Sequence, residues 1–110
     1  MHYKTLSTAL IAVAALTLGV PAMAQEAAPL DGAGLFKTKA CTSCHGKDAN
    51  TPLLPNYPRL GGQNAAYALQ QMQDIKSGAR NNGQTAAMQG IMHLVTDAEM
   101  QAISEWLSTL

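Results

Sequence analysis

The sequence predicts an all-α fold: one small domain of three main helices packed around a group that is not part of the chain. Three observations predict it. Apolar residues recur at helical spacing in three segments that carry capping signals. Strand-like alternation is absent from residues 25–110. Those 86 residues hold 21 apolar side chains larger than alanine or cysteine, a thin supply for a core.

Composition narrows the function classes. The chain has 110 residues, 13% of them charged, with a formal net charge of zero. That suits a single domain and argues against a nucleic-acid partner, because nothing could neutralise a run of phosphates. Two cysteines cannot build a disulfide scaffold. No glycine-rich nucleotide loop and no internal repeat is visible.

The N-terminal segment reads as a signal peptide, residues 1–24. Lys4 precedes an uncharged run from Thr5 to Ala24, Pro21 ends any helix in it, and Ala22-Met23-Ala24 is an A-x-A cleavage site. The competing reading, an uncleaved anchor, reaches spanning length only if its threonines, glycine and proline are counted. No lipobox cysteine lies near the site. The expectation is export to the periplasm, cleavage after Ala24, no membrane anchor thereafter, and a domain over 25–110 with net charge −1.

Within that domain the elements follow in order. Asp31 is placed to cap a first helix running to the cysteines, with Leu35, Phe36 and Ala40 as its apolar stripe. Asn64 caps a second, with Ala65, Ala68, Leu69, Met72 and Ile75 at helical spacing and Gly78 as its stop. Thr96-Asp97-Ala98-Glu99 is a capping box for the last helix, Val95 and Met100 are placed for a hydrophobic staple, and Trp106 is expected to meet Phe36 where first and last helices cross. The two connections, Lys47–Gln63 with three prolines and Ala79–Leu94 with Gly83 and Gly90, read as long loops that need an internal anchor.

The chemistry lies in Cys41-Thr42-Ser43-Cys44-His45. In an oxidising compartment a cysteine pair becomes a disulfide unless something consumes the thiols. C-x-x-C-H is the haem c attachment motif. Residues i and i+3 share a helix face, so both sulfurs can reach the vinyl groups, and His45 can then reach the iron. A thioredoxin-type pair would need a preceding strand. A zinc site would need a fourth ligand, and His93 is the sole other histidine of 25–110. A plain disulfide leaves His45 unexplained. One covalent haem c per chain is expected, held by Cys41 and Cys44.

With Leu35-Phe36 before the cysteines, the C-T-S-C-H motif, a later loop methionine and Trp106 in a C-terminal helix, the chain resembles the class I cytochromes c. It is most similar to one lobe of the dihaem periplasmic cytochromes c and their single-haem relatives. Three segments carry that: Pro55-Asn56-Tyr57-Pro58-Arg59-Leu60-Gly61-Gly62-Gln63; Tyr67 with Ile75-Lys76-Ser77-Gly78-Ala79-Arg80; and Met88 before Val95-Thr96-Asp97. The resemblance covers 31–108, and a single C-x-x-C-H departs from the dihaem pattern. It implies a small class I cytochrome c fold and a one-electron carrier, not an enzyme. Met72 and Met100 fall on apolar helix faces, which leaves Met88 and Met92 as candidates for the sixth iron ligand, with His93 or an open site as the remaining alternatives. Proteins of this resemblance place the ligand eight residues before the Ser or Thr that caps the last helix, which selects Met88, with His45 as the other axial ligand.

Further roles are less constrained. The Pro55 carbonyl is a candidate acceptor for the second ring N–H of His45, against the reading of a rigid loop proline. Arg59, Gln63, Tyr67 and Arg80 are candidates for the haem propionates, against solvated surface. Lys37, Lys39 and Lys47 are expected to steer partners locally. The expected partners are periplasmic or membrane-bound redox proteins met by a monomer in transient contacts. Two alternatives stand: a haem c subunit of a periplasmic dehydrogenase, and a five-coordinate iron that binds gas or peroxide.

Overall fold

The computed structural model describes residues 14–16, 18–22 and 28–110. The expected signal peptide therefore falls for the most part outside the described residues. The described residues form five helices, α1 Gly32–Thr38, α2 Thr42–His45, α3 Ala65–Ser77, α4 Thr85–Met92 and α5 Asp97–Ser108, and no strand. None of the described helices is long and apolar enough to cross a membrane.

Local chemistry explains where most of them begin and end. The Asn64 side chain accepts from the Tyr67 backbone N–H at 3.1 Å, and Gly78 closes α3 in the left-handed conformation with φ 85°. Thr96 and Glu99 form both bonds of the capping box that opens α5. Asp31 stands at the N-cap of α1 but makes no side-chain capping bond. The first helix also stops earlier than the sequence suggests. Ala40 has φ 63°, a conformation that breaks the helix, and a separate single turn carries the cysteines.

The larger difference lies between residues 79 and 94. The sequence reads as a loop with two glycines, yet Thr85–Met92 is helical. Ala86, Ala87, Met88 and Gln89 are all strong helix formers. Thr85, Met88, Ile91 and Met92 then fall on one face, which gives the short helix an apolar side to bury. Met88 consequently projects from a helix, not from a loop.

α1 and α3 both pack on α5, and α3 also packs on α4. Buried Phe36, Met72, Ile75, Met92, Val95, Met100, Ile103 and Leu107 form the core. The Phe36 and Trp106 rings meet at the α1–α5 crossing, centroids 5.1 Å apart and tilted by 47°. The backbones come close there because residue 32 is glycine. A Cβ at that position would stand 2.2 Å from the Ala102 carbonyl oxygen and 2.7 Å from the Trp106 Cβ.

Candidate functional site

The break at Ala40 sets the site. After it, the Cys41 N–H bonds back to the Phe36 carbonyl at 3.2 Å, and the chain winds one turn, the His45 N–H bonding the Cys41 carbonyl at 3.0 Å. Cys41 and Cys44 stand three residues apart on that turn. Cys41 is buried and Cys44 exposed, and both line one cavity together with His45.

The next loop aims the histidine. Gly46 turns the chain at φ 83°, where a Cβ would lie 2.1 Å from the Thr51 carbonyl oxygen, so only glycine fits. Asp48 then ties the loop: its carboxylate accepts from the backbone N–H groups of Asn50 and Thr51 and from the Thr51 hydroxyl, at 2.8–2.9 Å. These bonds hold its pKa below the usual carboxylate value. The buried Ala49 carbonyl accepts from Leu60 and Gly61, pinning the far end. Between these anchors the chain brings the Pro58 carbonyl oxygen to 3.0 Å from His45 Nδ1. A carbonyl only accepts, so Nδ1 carries the proton and Nε2 keeps a free lone pair, the atom an iron needs. The expected acceptor was the Pro55 carbonyl. The turn closed by the Tyr57 N–H to Leu54 carbonyl bond carries exposed Pro55 away from the cavity, and the chain returns to His45 only at Pro58.

The cavity has a volume of about 460 Å³, within the range of small-ligand and cofactor sites. Its walls are mainly apolar. α3 supplies Met72 and Ile75, α5 supplies Ile103 and Leu107, and α4 supplies Met88, Ile91 and Met92. Met88 is partly buried and Met92 fully buried. All four residues expected to hold the cofactor thus border one space. Arg59, Gln63, Tyr67 and Arg80 border it too. Arg80 donates to the Gln71 side-chain carbonyl at 2.9 Å, a partner the sequence did not suggest. A second hollow, about 600 Å³, lies against α1 and contains no cysteine, histidine or methionine.

Other chemistry fits the site poorly. Burial pushes the Cys41 thiol up to about 11, whereas a working dithiol couple needs a lowered value. Among the described residues no group of three or more His, Cys, Asp or Glu side chains could hold a metal ion.

A family model described as Cytochrome c matches residues 30–110. The chain belongs to the cytochrome c family. A cytochrome c4 of Stutzerimonas stutzeri is 36% identical over 100 residues, covering 86% of this chain and 47% of that protein. A protein named thiosulfate dehydrogenase electron acceptor, from Stutzerimonas stutzeri strain A1501, is 35% identical over 109 residues, covering 97% of this chain and 49% of that one. The crystal structure of reduced recombinant cytochrome c4 from Pseudomonas stutzeri superposes with a TM-score of 0.63 at 32% identity, over 72% of this chain and 46% of that one. The chain spans about half the length of these relatives. It has the class I cytochrome c fold and is similar to one lobe of the dihaem proteins. The cofactor of this family is a covalent haem c, and the residues present fit it: a cysteine pair at attachment spacing, a histidine with Nε2 free, and an apolar cavity beside them.

Lys39 differs from its sequence reading. It is not free to steer a partner, because its ammonium lies 2.9 Å from the Leu94 carbonyl oxygen and 3.1 Å from the Glu99 carboxylate. Lys37 and Lys47 are exposed.

Proposed function

We propose that this chain is a one-electron carrier of the periplasm, with Cys41 and Cys44 bound to the haem as thioethers and His45 and Met88 as the axial iron ligands. The observation that carries this reading is the His45 ring, fixed by the Pro58 carbonyl with Nε2 as its remaining acceptor, in the same cavity as Met88. When bound, the haem supplies a single electron at an iron whose coordination does not change. The protein's part is to hold that coordination fixed and keep water from the iron. Pro58 keeps the imidazole in one orientation and raises its basicity. Met88 supplies a soft thioether that favours ferrous iron, and the surrounding Met, Ile and Leu side chains lower the local polarity. Were His45 and Met88 both to hold the iron, no position on it would be left for a substrate, and the chain would act as a carrier and not as an enzyme.

Export through a cleaved signal peptide over residues 1–24 would place the carrier in the periplasm. The contact surface is expected at the exposed Cys44. The Leu53 N–H bonds the Cys44 carbonyl at 2.9 Å, and Leu53 and Leu54 leave 71% and 43% of their surfaces open beside it. A small apolar rim of this kind suits brief encounters with redox proteins and a monomeric carrier.

One observation favours a dehydrogenase as electron source: a relative carries the name thiosulfate dehydrogenase electron acceptor. If this chain were a stable subunit of such an enzyme, size exclusion of the native protein would show it at the mass of the complex. The central test is a reduced-minus-oxidised optical spectrum of the haem-loaded protein, with carbon monoxide added to the reduced form. A low-spin six-coordinate spectrum insensitive to carbon monoxide is expected. Rapid carbon monoxide binding would mean an open iron site and overturn the carrier reading.

A further inference from the structure

Two lysines, one just past α1 and one within α3, reach the same connector. The Lys39 ammonium, just past α1, donates to the Leu94 carbonyl at 2.9 Å, across 55 residues of sequence. The Lys76 ammonium, in the last turn of α3, donates to the next carbonyl, that of Val95, at 2.7 Å across 19 residues. Lys39 also pairs with the Glu99 carboxylate at 3.1 Å, and the same Glu99 oxygen accepts from the Thr96 N–H at 2.9 Å. The short connector between α4 and α5 is therefore tied to α1, to α3 and to the capping box of α5.

That connector ends the helix that carries Met88. The other end of α4 is held only locally: Gln84, its N-cap, makes no side-chain capping bond, residues 81–84 are exposed, and the Thr85 hydroxyl bonds the Asn82 carbonyl three residues away at 2.6 Å. Beyond its packing on α3, α4 is tied across the fold at its C-terminal end. The Gln89, Ile91 and Met92 carbonyls of α4 already accept from the His93, Leu94 and Val95 N–H groups, so the two lysines act on the connector beyond the helix, near the negative end of its dipole. Holding two long, flexible side chains on consecutive carbonyls costs rotamer freedom, which surface lysines normally keep.

We propose that Lys39 and Lys76 are positioning residues for the sixth iron ligand. They hold the α4–α5 connector so that α4 presses Met88 onto the haem. The proposal rests on the reading of Met88 as that ligand. Removing either lysine would loosen the iron–thioether bond well before the domain unfolds.

The test is competition at the iron of the ferric, haem-loaded protein, with imidazole as probe. Lys39→Met and Lys76→Met are each expected to raise imidazole affinity at least tenfold, and to weaken the red absorbance band of the iron–thioether bond at temperatures where helix content is intact. Lys76→Arg, which keeps a cation, should recover most of the parent behaviour. Lys76→Gln serves should Lys76→Met fail to load haem. Lys37→Met, which removes an exposed lysine of α1 away from the connector, should leave imidazole affinity within twofold. The proposal is overturned if the Lys39 and Lys76 variants stay within twofold of the parent, or if Lys37→Met raises affinity as much as they do. A parent whose red band survives Met88→Ala would instead remove the ligand assignment on which the proposal stands.

Discussion

The His45 ring and the Pro58 carbonyl, 3.0 Å apart, join the haem motif to the proline-rich loop across 13 residues. Their bond fixes which nitrogen faces the cavity and how basic it is. Pro58 also has its φ locked by the pyrrolidine ring, which steadies the carbonyl it bears.

Pro58→Ala keeps the carbonyl but frees the backbone that aims it. A looser bond makes the imidazole a weaker donor to ferric iron, so the reduction potential should rise. A hydrogen bond worth about 0.5–1.5 kcal/mol corresponds to a rise of roughly 20–60 mV. Spectroelectrochemical titration of parent and variant checks this, and an unchanged or lower potential would contradict the role given to the bond.

How much of this was legible in the sequence depended on how local the determinant was. The Asn64 cap, the Gly78 stop and the Thr96–Glu99 box each act within a few residues, and each stands where the sequence put it. Pro55 and Pro58 differ only in where the loop folds back, which the prolines themselves do not state. Helix α4 was hidden by its flanking glycines, since Gly83 and Gly90 punctuate a segment whose helicity is supported by packing on α3. The lysine contacts left no trace, because side chains 55 and 19 residues from their acceptors have no local signature. The cysteine pair and His45 were legible from the motif alone; the structure adds that they border one cavity with Met88.

Met88 and Met92 share a face of α4 and both border the cavity, so substitution has to separate them. Met88→Ala should abolish the red iron–thioether band and lower the potential markedly, because ferrous iron loses its soft ligand. Met92→Ala should keep the band. Met92 is fully buried, and its truncation should cost about 2–5 kcal/mol of stability in denaturant. Loss of the band in Met92→Ala and its survival in Met88→Ala would reverse the assignment.

Acid should weaken the domain through two carboxylates. Glu99 accepts from the Thr96 N–H and from Lys39, and Asp48 accepts from Asn50 and Thr51; both are held below their ordinary values. A carboxyl with a lowered folded-state pKa stabilises fully above its unfolded value and loses that contribution as pH falls through the folded one. The decline is thus expected below about pH 4–5. Denaturant midpoints measured between pH 6 and 3 should fall less steeply in Glu99→Gln and Asp48→Asn than in the parent. Parallel curves would mean that neither bond is linked to folding.

Gly32 tests the α1–α5 crossing. With the Ala102 carbonyl oxygen 2.2 Å from a Cβ at this position, Gly32→Ala forces the two helices apart. The gain in helix propensity, about 1 kcal/mol, is outweighed only if the forced separation costs more. Overpacking of this kind typically costs about 1–3 kcal/mol, and here it would also shift Trp106 off Phe36. A net loss of stability with blurred near-ultraviolet signal from Trp106 is expected, and a stabilised variant would show that the crossing yields easily.

The final prediction concerns what the haem does for the fold. The cavity of about 460 Å³ opens between α2, α3, α4 and α5, against mainly apolar walls. Left without haem, that space would hold water against those walls or collapse, and either outcome lowers a stability that is only about 5–15 kcal/mol for a whole domain. Cys41→Ala or Cys44→Ala alone should leave at most one thioether bond. The double variant should yield little haem-bearing protein and an apoprotein with a weak helical signal and no cooperative thermal transition. A cooperative, helical apoprotein would show that the apolar side chains of residues 25–110 suffice for a core, contrary to the count from which the all-α, cofactor-filled fold was inferred.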